Sequence, residues 1–268
     1  MGLKVIIISV EGSLRREFQE DQMSRLNLDF EFFNALTPSS IGSKKYFSSC
    51  YDWERQLKET EVSCFFSHYS VWEKISQSNE PVLVLEDDAL ISCSIKKISS
   101  KIKNIQNVDL LNLENRDRKK IISKKPEIII ENLRIHKLLH DTTGAAGYIL
   151  WPSGAKKLLA YKKKKGVSLA DAHIYSCDSL SKFQIEPSIL LQLDMTPNYG
   201  LYNQYFTDFM SSTVSSKERL PSSMRFISRR IFSQLKTGIK KLYFFMFGIE
   251  RYINTDSYEN FQLNNYEK

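Results

Sequence analysis

The residues that most constrain this chain are Pro81-Val82-Leu83-Val84-Leu85-Glu86-Asp87-Asp88, where a wholly apolar run stops and three carboxylates follow at once. Val82 to Leu85 show no polar alternation, the pattern of a strand buried on both faces. Glu86, Asp87 and Asp88 then stand where that strand emerges, and in open α/β sheets ligands bind at this carboxyl edge. Adjacent acids repel one another unless something cationic joins them. A hard divalent ion held by one or two carboxylates and by substrate phosphates does so. An acidic, solvated loop is the plainer explanation of the same three residues.

The rest of the chain supplies a context for such a strand. Residues 4–10 predict a first buried strand, Glu11-Gly12-Ser13 a turn, and Ser13 the opening of a helix that runs to Leu26. A second strand is expected at 29–34 and a polar, aromatic loop at 39–60. Cys64, Phe65, His68, Val71, Trp72 and Ile75 fall at helical spacing. After the strand at 82–85 come a short strand at 109–113, a charged loop at 114–126 and a hairpin of 128–130 with 133–139. A small apolar segment at 144–150 leads into a helix from Ser153 to Tyr161. Strands alternating with helices predict the α/β class with a mostly parallel, Rossmann-like sheet. The 268 residues suffice for one large domain of this kind with an appendage.

The appendage is marked by charge. Residues 217–241 hold eight Lys or Arg against the single acid Glu218, so this segment alone carries an excess equal to the net +7 of the whole chain. Met224, Ile227, Ile231, Leu235, Ile239, Leu242 and Met246 recur three or four apart, and Phe244, Phe245 and Phe247 close the segment. A basic amphipathic helix of this kind lies in a membrane interface. Residues 1–216 are therefore read as a globular domain, 217–268 as a membrane-associating segment, and 221–247 as its contact with an anionic membrane surface. A helix packed on its own domain is the competing reading. No base-reading motif accompanies the basic face, so nucleic acid is not expected as a partner. No stretch reaches the roughly 18 apolar residues of a membrane span. The opening Met1-Gly2-Leu3-Lys4 leads into an apolar run too brief for a signal h-region, and Cys50, Cys64, Cys93 and Cys177 show no metal-binding spacing. Both points predict a cytoplasmic protein with reduced thiols.

The order of several segments resembles glycosyltransferase family 25, bacterial enzymes that build the saccharide of lipooligosaccharide. The segments are Ile6-Ile7-Ile8-Ser9-Val10 followed by Arg15-Arg16; Asn34-Ala35-Leu36-Thr37; Glu61-Val62-Ser63-Cys64-Phe65-Phe66-Ser67-His68 with Trp72 a turn later; Leu85-Glu86-Asp87-Asp88; and Gly144-Ala145-Ala146-Gly147-Tyr148-Ile149 before Gly154-Ala155-Lys156-Lys157. A later Asp of the family aligns with Asp171 in Ser168-Leu169-Ala170-Asp171, which departs from the family's Pro-Val dipeptide. The resemblance covers roughly residues 3–195 and leaves the basic segment outside.

The resemblance implies a GT-A type fold and a UDP-hexose donor, with galactose and glucose undistinguished. It implies Mn²⁺ or Mg²⁺ between carboxylates and diphosphate, with Asp88 and Glu86 as ligands and Asp87 toward the ribose or donor sugar. Ser9 and Val10 would line the nucleoside edge, and Arg15 or Arg16 would pair with the diphosphate, whose oxygens match a guanidinium fork. Glu61, Ser67, His68, Gly144 and Ala145 are placed around the donor or acceptor pocket. The family is described as inverting, which needs one base at the acceptor hydroxyl. Asp171 is the first candidate, Glu114 and Asp141 are the reserves, and an N-cap role competes for Asp171. The acceptor would be a lipooligosaccharide core at the cytoplasmic face of the inner membrane. A nucleotidyltransferase or other nucleotide-sugar enzyme of the same fold, and a non-catalytic membrane-bound module, are the alternatives. The first of these is disfavoured by the glycine-poor Glu11-Gly12-Ser13-Leu14 turn.

Overall fold

The computed structural model describes residues 2–201 and 224–262. Its strands are β1 (Lys4–Ser9), β2 (Phe30–Asn34), β3 (Val82–Glu86), β4 (Ala89–Ile91), β5 (Leu110–Asn112), β6 (Lys120–Ser123), β7 (Ile128–Ile130), β8 (Leu133–His140), β9 (Gly147–Leu150), β10 (Lys182–Glu186), β11 (Leu190–Gln192) and β12 (Gly248–Arg251). The helices are α1 (Arg15–Leu26), α2 (Pro38–Ser49), α3 (Glu59–Ser76), α4 (Ile95–Ser99), α5 (Pro152–Lys165), α6 (Ala170–Ser176) and α7 (Met224–Phe247).

The central sheet runs β2-β1-β3-β9-β5-β10. β1 pairs in parallel with β2 and β3, β10 in parallel with β5, and β9 lies antiparallel between β3 and β5. Five of these six strands therefore share one direction, so the sheet is mostly parallel as expected. β3 sits near its middle, with Leu83, Val84 and Leu85 wholly buried. Removing its four aliphatic side chains from water contributes roughly 6–12 kcal/mol before entropy is counted. Because β1, β3 and β5 all end at the same edge, that edge collects Ser9, Glu86 to Asp88 and the residues after Asn112. α1 buries Phe18 and Met23 on one face of the sheet, and α3 buries Phe65 and Trp72 on the other.

Three local expectations are corrected. Residues 39–60 are not all loop: Thr37 caps α2 in a reciprocal capping box with Ser40, Pro38 starts the helix, and Gly42 kinks it at φ 74°. Residues 114–126 contain β6, whose Lys120, Ile121 and Ile122 are buried despite the surrounding charge. α1 begins at Arg15, not at Ser13, whose hydroxyl accepts from the Arg15 N–H at 3.3 Å. The hairpin expected at Glu131-Asn132 forms as β7 and β8, with Glu131 at φ 54°.

The end of the chain carries a further finding. The boundary expected between residues 216 and 217 lies outside the described residues, but the chain beyond α7 returns to the sheet. β12 adds antiparallel to β6, which pairs with β8, itself antiparallel to β10. Arg251 forks onto Glu186, the Ser92 hydroxyl donates to Asp256, and Phe261 enters the main core.

Candidate active site

A cleft of about 400 Å³ opens at the carboxyl edge of the parallel strands. Arg15, Glu61, Glu86, Asp88, Gly144, Ala145 and Asp171, all singled out from sequence, line it. So does Glu114, expected as a reserve base, and so do Arg116, Arg118 and Asp194, which were not singled out from sequence. Among the lining side chains six are acids and three are arginines, so the cavity favours a cation on balance.

The acidic trio divides into three roles. Asp87 is saturated: its Oδ2 accepts from the Ser9 hydroxyl at 2.8 Å and its Oδ1 from Arg15 Nη1 at 3.2 Å. Glu86 accepts from His68 Nε2 at 3.1 Å. Asp88 Oδ1 is buried with no hydrogen-bond partner. Burial, then the charge of Glu86, pushes the Asp88 carboxyl up to about 7, against the pull of Arg15.

His68 is wholly buried and reaches the cleft only through Glu86. Trp72 Nε1 donates to the Tyr148 hydroxyl at 2.8 Å, and that hydroxyl lies 3.0 Å from His68 Nδ1. One arrangement satisfies every atom: the Tyr148 O–H donates to Nδ1, and the Nε2 proton points at Glu86. Three buried rings from α3 and β9 thus aim one carboxylate. Cys64, His68 and Glu86 bring ligand atoms within 4.8 Å of one another. The Cys64 thiol is pushed well above its ordinary range by burial and by the neighbouring carboxylates. Within this trio the hydrogen bond runs between His68 and Glu86.

Glu114, expected only as a reserve base, lies in the cleft. It is 1% exposed, two residues beyond β5. Its Oε2 accepts from the Ala146 N–H at 3.2 Å, its Oε1 has no hydrogen-bond partner, and the nearest guanidinium nitrogen, Arg116 Nε, is 3.9 Å from Oε1. Burial pushes this carboxyl up to about 8, against the pull of Lys120. Gly144 lies over it at φ 102°, where a Cβ would come within 2.8 Å of Glu114 Oε2. The small residues before β9 thus let the backbone close on a buried acid. Asp171 lies in the first turn of α6, not at its cap, which is Leu169. It lines the cleft and is raised above the ordinary carboxylate range, chiefly by burial. Asp141 does not line the cleft and is ion-paired with buried Lys120 at 2.9 Å.

Several of the expected residues lie elsewhere. Arg16 turns back over the ends of β1 and β2, donating to the Ser9 and Val10 carbonyls and to Asn34, with Phe32 under its guanidinium. Ser67 is buried, donating to the Ser63 carbonyl and accepting from the Leu36 N–H. Val10 is exposed beside the cleft without lining it. Glu61 lines the cleft, but its oxygens are taken by Arg55 at 2.6 and 2.8 Å and by the Lys58 N–H at 2.9 Å. Burial opposes its ionisation, yet these donors outweigh burial and hold it below the usual range.

The chain is similar to several known proteins. The chain is 27% identical over 215 residues to lipooligosaccharide biosynthesis protein lic2B of Haemophilus influenzae, covering 72% of this chain and 76% of that one. A second Haemophilus influenzae protein, named as a glycosyltransferase, is 25% identical over 91% of this chain and 86% of its own length. Human procollagen galactosyltransferase 2 is 27% identical over 61% of this chain and 28% of its own. Residues 3–174 match the family described as glycosyltransferase family 25 (LPS biosynthesis protein), a span that takes in β1, α3, the acidic trio, Glu114 and Asp171, and the chain belongs to that family.

Proposed function

We propose that this glycosyltransferase moves a hexose, galactose or glucose, from a UDP-sugar to a lipooligosaccharide core by a single inverting displacement. The observation that carries this reading is Asp88 Oδ1, a buried carboxylate oxygen without a partner among other acids at a ligand-binding sheet edge. A polar atom in that condition costs on the order of 1–3 kcal/mol unless something fills its coordination. The carboxylates of Asp88 and Glu86 are hard oxygen donors of like charge, which fits Mn²⁺ or Mg²⁺. Asp88 and Glu86 would hold that ion, with Glu86 aimed by His68. When bound, the ion stabilises negative charge on a departing diphosphate.

The remaining roles belong to the chain. Asp87, fixed by Ser9 and Arg15, presents the nucleoside side with a rigid wall. Asp171 takes the proton from the acceptor hydroxyl, its raised carboxyl being better matched to that task than an ordinary aspartate. Glu114 shares this part of the cleft and is the reserve base. Lipooligosaccharide as acceptor is supported by the name of the lic2B relative. A panel of UDP-sugars with and without Mn²⁺, scored by UDP release, tests the reading. Metal-dependent release with UDP-galactose or UDP-glucose is expected, and undiminished release with metal chelated refutes the metal assignment.

The enzyme works as a peripheral protein on the cytoplasmic face of the inner membrane. No helix among the described residues is long and apolar enough to cross a membrane. On α7, Ile231, Leu235, Ile239 and Leu242 are 60–74% exposed along one stripe. Meanwhile Arg229 donates to the carbonyls of Tyr51 and Trp53, Lys240 pairs with Asp178 and Lys241 with Glu250. The basic residues thus dock the helix and its apolar stripe faces outward, which supports insertion by burial more than attraction by charge. Truncation at residue 221 would also remove β12 and Phe261, so point substitution is the clean test. Ile231→Ser, Leu235→Ser and Leu242→Ser together should abolish pelleting with anionic vesicles while turnover on a deacylated core persists; unchanged pelleting refutes the contact.

A further inference from the structure

We propose that Arg118, with Arg116 beside it, is an oxyanion subsite for the acceptor, so that the saccharide receiving the hexose carries a phosphate or carboxylate held by this pair. This rests on the transferase reading of the cleft. Both arginines line the cleft from the loop that follows β5. The end of β5 stands three strand positions from the end of β1, across β3 and β9. At the usual inter-strand spacing that is about 14 Å from the Ser9–Asp87 wall assigned to the nucleoside.

The loop is built to hold these side chains up. Asn115 donates to the Ile253 carbonyl at 3.1 Å and to Thr255 Oγ1 at 2.9 Å, and its Oδ1 accepts from the Asp117 N–H at 3.0 Å. Asp117 adopts a left-handed φ of 50° and accepts from the Tyr199 hydroxyl. The alternate residues 115 and 117 are thereby tied down, while 116 and 118 face the cavity. Arg116 is already shared with Asp194 at 3.0 Å. Arg118 makes no hydrogen bond or ion pair among the described residues, although its cavity is rich in acids. A guanidinium on a fixed loop that none of these carboxylates engages is placed for an incoming planar or tetrahedral oxyanion, which its fork fits with two parallel hydrogen bonds. A neutral sugar would need no such group.

The test is calorimetric titration of the full chain, in the presence of UDP and Mn²⁺, with a deacylated lipooligosaccharide core in three forms: intact, dephosphorylated, and carboxyl-reduced. The wild type should bind the intact core about 10- to 100-fold more tightly than one of the stripped forms, the range of one charge-assisted bidentate contact. Whichever form loses affinity identifies the anion. Arg118→Gln should erase the preference, and Arg118→Lys should restore part of it, while the affinity for UDP alone stays unchanged in both. Equal or absent binding of all three forms by the wild type overturns the proposal. So does an Arg118→Gln variant whose loss falls on UDP, which would place the arginine on the donor diphosphate. A preference for the charged core without turnover of any UDP-sugar would leave the subsite standing and refute the transferase reading; turnover without a preference would do the reverse.

Discussion

The cleft and the sheet edge beside it carry the same kind of side chain in opposite condition. Beside the cleft, Asp87 is matched oxygen by oxygen with Ser9 and Arg15. Within it, Asp88 and Glu114 each keep a buried oxygen without a hydrogen bond. Asp87 and Asp88 are neighbours in sequence, so composition does not separate them; the turn between β3 and β4 brings one to Ser9 and Arg15 and the other into the cavity. A satisfied carboxylate holds structure together, whereas an unsatisfied one stores unfavourable desolvation that a ligand can relieve.

The largest effect should come from Asp88→Asn. Activity should fall by about three orders of magnitude, the scale of losing a key electrostatic group at a reacting centre. The thermal midpoint should hold or rise, because a repelled, buried charge is removed. A clear drop in melting temperature, of the kind expected at Asp87, would erase the distinction between the two aspartates.

Glu114→Gln comes next, and its signature is in the pH dependence of stability. The Glu114 carboxyl rises from an ordinary 4.5 to about 8 in the fold. The folded state therefore binds more protons than the unfolded state across that window, and stability falls as pH rises through it. Metal-free wild type should lose several degrees of melting temperature from about pH 5 to pH 8 and level off above, the scale of a few kcal/mol for a chain of this size. The variant should flatten that slope; an identical slope would mean that Glu114 does not hold its proton. The smallest effect belongs to Asp87→Ala, which should cost about 1–3 kcal/mol of stability through the Ser9 and Arg15 contacts. Differential calorimetry of this variant beside Asp88→Asn is the direct contrast, and equal midpoints would break it.

Legibility differed along the same line. The buried strand ending in acids, the helical spacing from Cys64 to Ile75 and the hairpin at Glu131 are local patterns, and each formed around the residues that carry it. β6 was missed because Lys120 sits among charges in sequence, yet in the fold it is buried and paired with Asp141 and Gln184. Arg16 and Arg15 are adjacent and chemically alike, but helical rotation sends one over Phe32 and the other toward Asp87. Spacing alone did not rank them.

What the sequence determined by itself is therefore the α/β alternation, the carboxylates at the mouth of β3, and the amphipathic helix near the end of the chain. These follow from side-chain periodicity within one segment, which needs no partner to be read. Tertiary structure decided which carboxylates are left unsatisfied, that His68 meets Glu86, that Glu114 lines the cleft, and that β12 closes onto β6. Each of those depends on desolvation or on hydrogen bonds between residues distant in the chain, and burial exists only once the sheet has been assembled.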